Sequence, residues 1–525
     1  MTTAQLASLA ELIDHAGEAF GDRDAVVDGD LRLTYRELVD ASRDFAAALV
    51  ASGVGPGDRV AIWAPNSREW IVAVLGIFQA GATLVPVNTR YKGTEAADML
   101  RRAGVKVLVT ATEFLGTDYV AMLRDAAPDL PALEHVVLTR GPVVADTTVW
   151  DDFVARATDE DREEVRRRSA ALGPEDPSDI LFTSGTTGVP KGVVMTHGRT
   201  LRVATDWVAM TGLQPGDVYL MVNPYFHMFG LKAGILASVA GGATMLPEPV
   251  FDIDRALRRV QEEKVTVFPG APTIYQTILD HPDRDSYDLS SLRIAVTGAA
   301  DIPVELIRRI DQELPFTTII SGYGLSEAGT ATGTGPGDDV AAVATTVGRI
   351  RPGFELRIAD QEGNAVPDGE TGEVLLRGGS VMSHYLDDPE ATAEAFTSEG
   401  YLKTGDLGTL DEAGRLRIVG RVKDMFIVGG FNAYPAEIEN ALRAHPAVRD
   451  VAVIGIPDER LGEVGMAFVV PASGATATPE EIVAWSRDQM ANFKVPRRVE
   501  FIDALPLNAT GKVEKNRLRE MANGR

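Results

Sequence analysis

Near the N-terminus the apolar positions first fall at helical spacing. Thr34 and Glu37 form a capping-box pattern, Leu38, Phe45, Ala48 and Leu49 follow on one helical face, and Gly53 marks the stop. VAIWAP (60–65) then reads as a buried strand. Similar alternation returns at VKVLVT (105–110), VTVFPG (265–270) and LRIAVTG (292–298), each beside a helical pattern. Strands alternating with helices predict an α/β protein with largely parallel sheets. The most membrane-like stretch, Trp70 to Val87, contains Gly76, Gln79, Gly81 and Pro86. It reads as a buried helix ending near Gly81 and then a short buried strand, not a membrane span. ATGTGPGDD (331–339) reads as a Gly-rich surface loop.

After about residue 340 the texture changes. FELRIAD, EVLLRG and RLRIVG are shorter strands, separated by turn signals such as Asp368-Gly369 and Ala413-Gly414, and predict a β-rich subdomain. Beyond Arg421 come a helical pattern at Pro435–Ala444, strands near Val451–Ile456 and Met466–Val470, and a helix near Glu480–Met490. That tail is large enough for a separate α+β domain, so the expected domains are 1–421 and 422–525.

Composition narrows the function. A chain of 525 residues with 45% apolar and 24% charged positions suits a soluble globular protein of more than one domain. The net charge of -25 argues against a broad nucleic-acid-binding face. Small anions stay admissible, because fields beyond about 8 Å are screened at cellular salt and local donors decide. With no cysteine, disulfides, thiolate metal sites and a Cys nucleophile are excluded, and any thioester sulfur must arrive on a substrate. The opening MTTAQLASLAELIDHAGEAF lacks a basic region and carries early acids, a poor signal peptide, so a cytoplasmic location is expected.

The strongest chemical signal is TSGTTGVPKG (183–192), which follows a predicted strand at Ile180–Thr183. Gly185 and Gly188 let backbone N–H groups approach phosphate oxygens. Thr183, Ser184, Thr186 and Thr187 add hydroxyls, and Lys191 adds charge. No GK[ST] closes the string, so it is not a Walker A loop. Further motifs follow: YFHMFG (225–230), GYGLSE (322–327), YLKTGD (401–406), GRVKD (420–424), GGFNAYPAEIE (429–439) and PLNATGKVEK (506–515). Together, in this order, they resemble the adenylate-forming superfamily of acyl-CoA synthetases, peptide-synthetase adenylation domains and beetle luciferases.

The resemblance implies an ATP-dependent acid–thiol ligase that forms acyl-AMP and pyrophosphate and then passes the acyl group to coenzyme A. It implies two α/β layers and a small β-barrel in the N-terminal domain, a mobile C-terminal domain, and an active site between the two. Gly322, Tyr323 and Gly324 would hold adenine, with the loop containing Ala299 and Ala300 covering its other face, and Ser326 would reach the α-phosphate. Glu327 and Thr183 would hold Mg²⁺, and Asp406 and Arg421 would hold the ribose. His227 would gate the acyl carboxylate, with Phe226, Lys232, Gly298 and Gly322 lining the acyl pocket. Lys512 would serve adenylation, Lys423 would be the hinge, and Gly429 and Gly430 would admit the CoA thiol. Each of these residues has a plainer reading when taken alone. Glu327 would be a surface carboxylate, His227 a packed core residue, Lys232 a snorkelling surface lysine and Lys512 a tail lysine.

The expected ligands are therefore a small carboxylate, ATP, Mg²⁺ and CoA, without nucleic acid or membrane span, and a homodimer stays open. Competing readings are an acyl-AMP ligase loading a carrier protein, a peptide-synthetase adenylation domain and a luciferase-like monooxygenase. From another class comes a non-catalytic nucleotide or acyl sensor, which would be expected to lack Glu327, Asp406 or Lys512. SDILFTSGTTG (178–188) and KDM (423–425) leading into IVGGFN (427–432) look closest to actinobacterial ligases for alicyclic propanoates from steroid-ring breakdown, with medium-chain fatty acids as the second substrate class.

Overall fold

The computed structural model describes residues 6–183, 190–298, 302–507 and 513–523. The chain forms two compact units, one of residues 1–355 and 377–396 and the other of 356–376 and 397–525.

The first unit is built on two sheets. In the eight-stranded sheet the order is His384–Tyr385, Lys191–Thr196, Pro177–Thr183, Thr83–Pro86, Arg59–Trp63, Val105–Ala111, His135–Arg140 and Thr148–Val149. The nine-stranded sheet runs Arg349–Ile350, Gly329–Gly333, Thr318–Leu325, Ile294–Gly298, Val267–Gly270, Val218–Met221, Thr244–Pro247, Asp24–Asp28 and Leu31–Thr34. The inner strands are parallel. They are apolar throughout because both faces are covered. Val60 and Ile62 enter one core while Ala61 and Trp63 enter another. On the second sheet Ile294 and Val296 likewise oppose Ala295. The largest core joins one face of each sheet to the helices Leu9–Phe20, Tyr35–Ala51, Arg68–Gln79 and His197–Thr211.

Local signals work as read. Thr34 and Glu37 close their capping box at the start of Tyr35–Ala51. Trp70 to Val87 is the helix Arg68–Gln79 followed by the buried strand Thr83–Pro86. No helix among the described residues is long and apolar enough to cross a membrane.

One expectation is corrected. The supposed surface loop at 331–339 begins as the buried strand Gly329–Gly333, paired with Thr318–Leu325 and Arg349–Ile350, and Ala331, Thr332 and Thr334 are fully buried. Its small residues serve close packing: a Cβ on Gly333 would meet Met210 Sδ at 2.2 Å.

In the second unit, the region expected to be a small barrel contributes to a four-stranded sheet in the order Phe354–Ala359, Gly372–Gly378, Leu402–Leu410, Leu416–Arg421. A five-stranded sheet follows, with Gly462–Pro471 between Val448–Asp458 and Phe426–Val428 and with Arg498–Phe501 alongside it in parallel. The helices Pro435–Arg443 and Pro479–Gln489 match the predicted positions.

Candidate active site

The phosphate string begins and ends on paired strands. Pro177–Thr183 runs antiparallel to Lys191–Thr196, with Phe182 opposite Gly192 and Thr183 opposite Lys191. Arg102 fixes the exit: its Nη1 donates to the Pro190 carbonyl at 2.7 Å while its guanidinium lies 5.2 Å from the Phe182 ring centroid. The described flanks of the string are thus held by strand pairing and by Arg102. Ser184, Gly185, Thr186, Thr187 and Gly188 lie outside the described residues, as do Ala299, Ala300 and Lys512.

On the other sheet, Gly270 and Gly298 stand at the carboxyl ends of adjacent parallel strands, with Gly270 opposite Thr297 and Gly298 opposite Gly322, which lies within the next parallel strand, Thr318–Leu325. Open α/β sheets bind ligands at such ends. Gly329–Gly333 then returns antiparallel to Thr318–Leu325, placing Tyr323 opposite Thr332, with a bulge between Tyr323 and Gly324. Ser326 and Glu327 occupy the reversal, closed by Ala328 N–H donating to the Leu325 carbonyl at 3.0 Å. Glu327 is held from a third segment. Met382 N–H donates to its carbonyl at 2.6 Å, and the Tyr385 hydroxyl donates to its Oε1 at 3.1 Å. The ring of Tyr385 lies 4.9 Å from Lys191 Nζ. Thus the metal candidate and the phosphate-loop lysine contact the same tyrosine.

The proposed acyl segment is braced from below by Asn66. Its Nδ2 donates to the carbonyls of Met221 (3.0 Å) and Asn223 (2.9 Å), and its Oδ1 accepts from Tyr225 N–H at 2.9 Å. Trp70 packs on the Tyr225 ring with centroids 5.4 Å apart. His227 then caps the next turn: its Nδ1 accepts from Phe229 N–H at 3.2 Å, which puts the ring hydrogen of the neutral imidazole on Nε2. Gly230 is required by close approach, since a Cβ there would sit 2.2 Å from the Pro224 carbonyl oxygen. Phe226 precedes this turn and is half-buried.

Lys232 departs from the snorkelling expectation. It lies in a π-helical turn, Leu231–Leu236, and is fully buried. Its Nζ is 2.8 Å from Asp179 Oδ1 and donates to Thr200 Oγ1 at 3.1 Å. Ser178 and Thr200 each donate to Asp179 Oδ2 at 2.7 Å. Burial pulls the Lys232 ammonium below the ordinary lysine range while Asp179 opposes that shift. This buried pair ties the strand leading to the phosphate loop to the turn that follows His227.

The second unit brings its own pair together. Asp406 and Arg421 face each other across neighbouring strands, with Asp406 Oδ1 3.2 Å from Arg421 Nε. Asp406 is buried, and Thr404 Oγ1 accepts from its backbone N–H at 3.1 Å. Gly429 (φ 57°) and Gly430 (φ 88°) form the two-residue turn between Phe426–Val428 and Phe431–Ala433. A hairpin turn with positive φ at both central positions favours glycine strongly. Lys423 lies in the single turn Val422–Asp424, and Asp424 beside it is 3.2 Å from Arg519 Nη2 on the helix Lys515–Asn523.

Asn66, Arg102, Asp179 and Tyr385 were not legible as site-supporting residues, since each acts through a partner remote in sequence. Only Asp179 lay within a quoted motif.

The AMP-binding enzyme family matches residues 13–386, and the AMP-binding enzyme C-terminal domain matches 437–512. A Rhodococcus jostii 3-[(3aS,4S,7aS)-7a-methyl-1,5-dioxo-octahydro-1H-inden-4-yl]propanoyl:CoA ligase is 50% identical over 524 residues, covering 99% of both chains. The Mycobacterium tuberculosis ligase of the same name is 51% identical over 517 residues, covering 98% of this chain and 99% of the other. A crystal structure of the anthranilate CoA ligase AuaEII in complex with anthranoyl-AMP superposes with a TM-score of 0.85 at 28% identity, covering 100% of both. The chain therefore belongs to the AMP-binding enzyme family. Its activity is that of an AMP-forming acyl-CoA ligase using ATP and CoA.

Proposed function

We propose that this ligase makes the CoA thioester of an alicyclic propanoate, the substrate class named for its two bacterial relatives. The observation that carries the reading is half-identity to both along essentially the whole length. A cytoplasmic location fits, since ATP and CoA are both consumed.

In the first step a carboxylate oxygen attacks the α-phosphorus in line. A carboxyl–phosphate bond forms, the α–β anhydride breaks, and pyrophosphate leaves. In the second, the CoA sulfur attacks the acyl carbon and AMP departs with the bonding pair. Positioning and charge stabilisation suffice, without a protein nucleophile. Tyr323, with Gly322 and Gly324, would hold adenine, and Asp406 with Arg421 the ribose hydroxyls. Ser326, Lys191 and the 183–188 loop would hold the phosphates. His227 would orient the carboxylate, with Phe226, Gly298 and Gly322 beside the acyl group, and Lys232 would act from behind through Asp179. The donor set suits Mg²⁺. Glu327 and Thr183 offer the hard oxygens that this cation prefers. When bound, Mg²⁺ would supply neutralisation of the leaving pyrophosphate.

Lys423 is the proposed pivot between half-reactions, with residues 422–525 turning to bring Gly429 and Gly430 to the thiol path. The neighbouring Asp424 is anchored to Arg519, which favours Lys423 as the residue that changes dihedrals. Lys423→Pro should keep acyl-AMP formation near normal and slow transfer to CoA, because proline fixes φ near -65°. A mutant with an unchanged melting curve and wild-type transfer would remove the pivot from Lys423.

A panel of carboxylates, assayed for CoA-dependent AMP release, tests the substrate class. Bicyclic ring propanoates should exceed octanoate in kcat/KM by about 10-fold or more, the scale on which pocket fit discriminates. The reverse order would assign the enzyme to medium-chain fatty acids.

A further inference from the structure

We propose that Tyr385 is a positioning residue for adenylation, setting the Glu327 carboxylate for the metal and the Lys191 ammonium for the phosphates with one side chain. This rests on the reading of Glu327 as the Mg²⁺ carboxylate.

Tyr385 is itself tightly placed. It is 9% exposed, its strand pairs with Lys191–Thr196 so that Tyr385 stands opposite Val193, and its backbone N–H donates to Thr392 Oγ1 at 3.0 Å. From that fixed base its hydroxyl donates to Glu327 Oε1 at 3.1 Å and its ring meets Lys191 Nζ at 4.9 Å. The two contacts use different parts of the ring. A hydroxyl hydrogen bond restricts the carboxylate's rotation, and the negative π face attracts the ammonium. Glu327 sits in a turn whose carbonyl is separately held by Met382 N–H at 2.6 Å, three residues before Tyr385. Backbone and side chain of one short segment thus fix both ends of the residue. Without the hydroxyl, the carboxylate would lose this restraint on its rotation. Without the ring, the lysine would lose its rest position as well.

Because phenylalanine keeps the ring and drops only the hydroxyl, the two functions separate. The measurement is calorimetric binding of α,β-methylene-ATP with Mg²⁺ and with EDTA, on wild type, Tyr385→Phe, Tyr385→Leu and Glu327→Gln, with melting curves for each. Tyr385→Phe should bind the analogue normally in EDTA and lose about 10-fold of the Mg²⁺-dependent gain, the scale on which partners that orient metal ligands act. Tyr385→Leu should weaken binding in both conditions. Glu327→Gln should lose the gain altogether. In turnover, Tyr385→Phe should raise the Mg²⁺ concentration at half-maximal pyrophosphate exchange by a similar factor without changing the carboxylate KM. A folded Tyr385→Phe with the full Mg²⁺ gain, alongside a Glu327→Gln that loses it, would overturn the positioning role while leaving Glu327 in place. A Glu327→Gln that keeps the gain would overturn the metal assignment and this proposal with it.

Discussion

Lys232→Met is expected to destabilise the first unit by about 3–5 kcal/mol, the usual consequence of leaving a buried charge without its partner. Asp179 is fully buried, and its Oδ2 already accepts from Ser178 and Thr200. Neither hydroxyl can neutralise it, so the Lys232 ammonium at 2.8 Å is the compensating charge. Methionine matches the lysine's length and packs well in an apolar surround, which isolates the charge as the cause. The double variant Asp179→Leu/Lys232→Met should recover most of the loss, because replacing both members of a buried pair by apolar groups is often neutral or better. Chemical denaturation of the four members of the cycle measures this. Nearly additive losses, with no recovery in the double variant, would show that the two side chains do not act as a pair. If the recovered double variant still shows a raised carboxylate KM, the tie between the phosphate strand and the His227 turn also matters for substrate.

Much of this architecture can be read from local sequence, because its causes are local. The Thr34–Glu37 cap, the stop near Gly81 and the apolar strands around Ile62, Leu108 and Ala295 each need only a few neighbours to specify them. Gly429, Gly430, Asp406 and Arg421 were singled out by the family resemblance instead; the hairpin turn of the first two and the cross-strand pairing of the last two came with the structure. Hydropathy failed where a residue's meaning depends on a distant partner. Lys232 looks like a lone charge in an apolar stretch until Asp179, on another element, is placed against it. Tyr385 becomes informative only when folding sets it between Lys191 and Glu327. The 331–334 segment misled for a different reason. Its Gly and Thr content matches a turn, but the same small residues let a buried strand lie close to Met210. The expected domain boundary after Arg421 falls inside the second compact unit, so Lys423 is a proposed functional pivot rather than an edge of packing.

Lys512→Ala should slow acyl-AMP formation by about 10²–10³-fold, the range for removing one stabilising group aimed at developing charge. Thioester formation from supplied acyl-AMP should change only a few-fold. The family resemblance proposes Lys512 for this step, and the nearby Lys515 serves as a contrast. Leu507 pairs with Val513 and Glu514 N–H donates to the Pro506 carbonyl at 2.8 Å, while Lys512 lies outside the described residues. Lys515 has a partner of its own. Its Nζ is 2.9 Å from the buried Glu439 carboxylate, which also accepts from Val453 N–H at 2.8 Å. As proposed, the positive charge of Lys512 would act while negative charge redistributes among carboxylate, α-phosphate and departing pyrophosphate. No such redistribution at phosphorus occurs in thiol attack on the acyl carbon, hence the asymmetry. Lys515→Ala supplies the contrast: uncovering Glu439 should lower the melting temperature and reduce both half-reactions together. Pyrophosphate exchange reports the first step, and release of AMP from supplied acyl-AMP and CoA reports the second. Equal losses in both steps for Lys512→Ala, at an unchanged melting temperature, would give Lys512 a role in both half-reactions and end its assignment to adenylation alone.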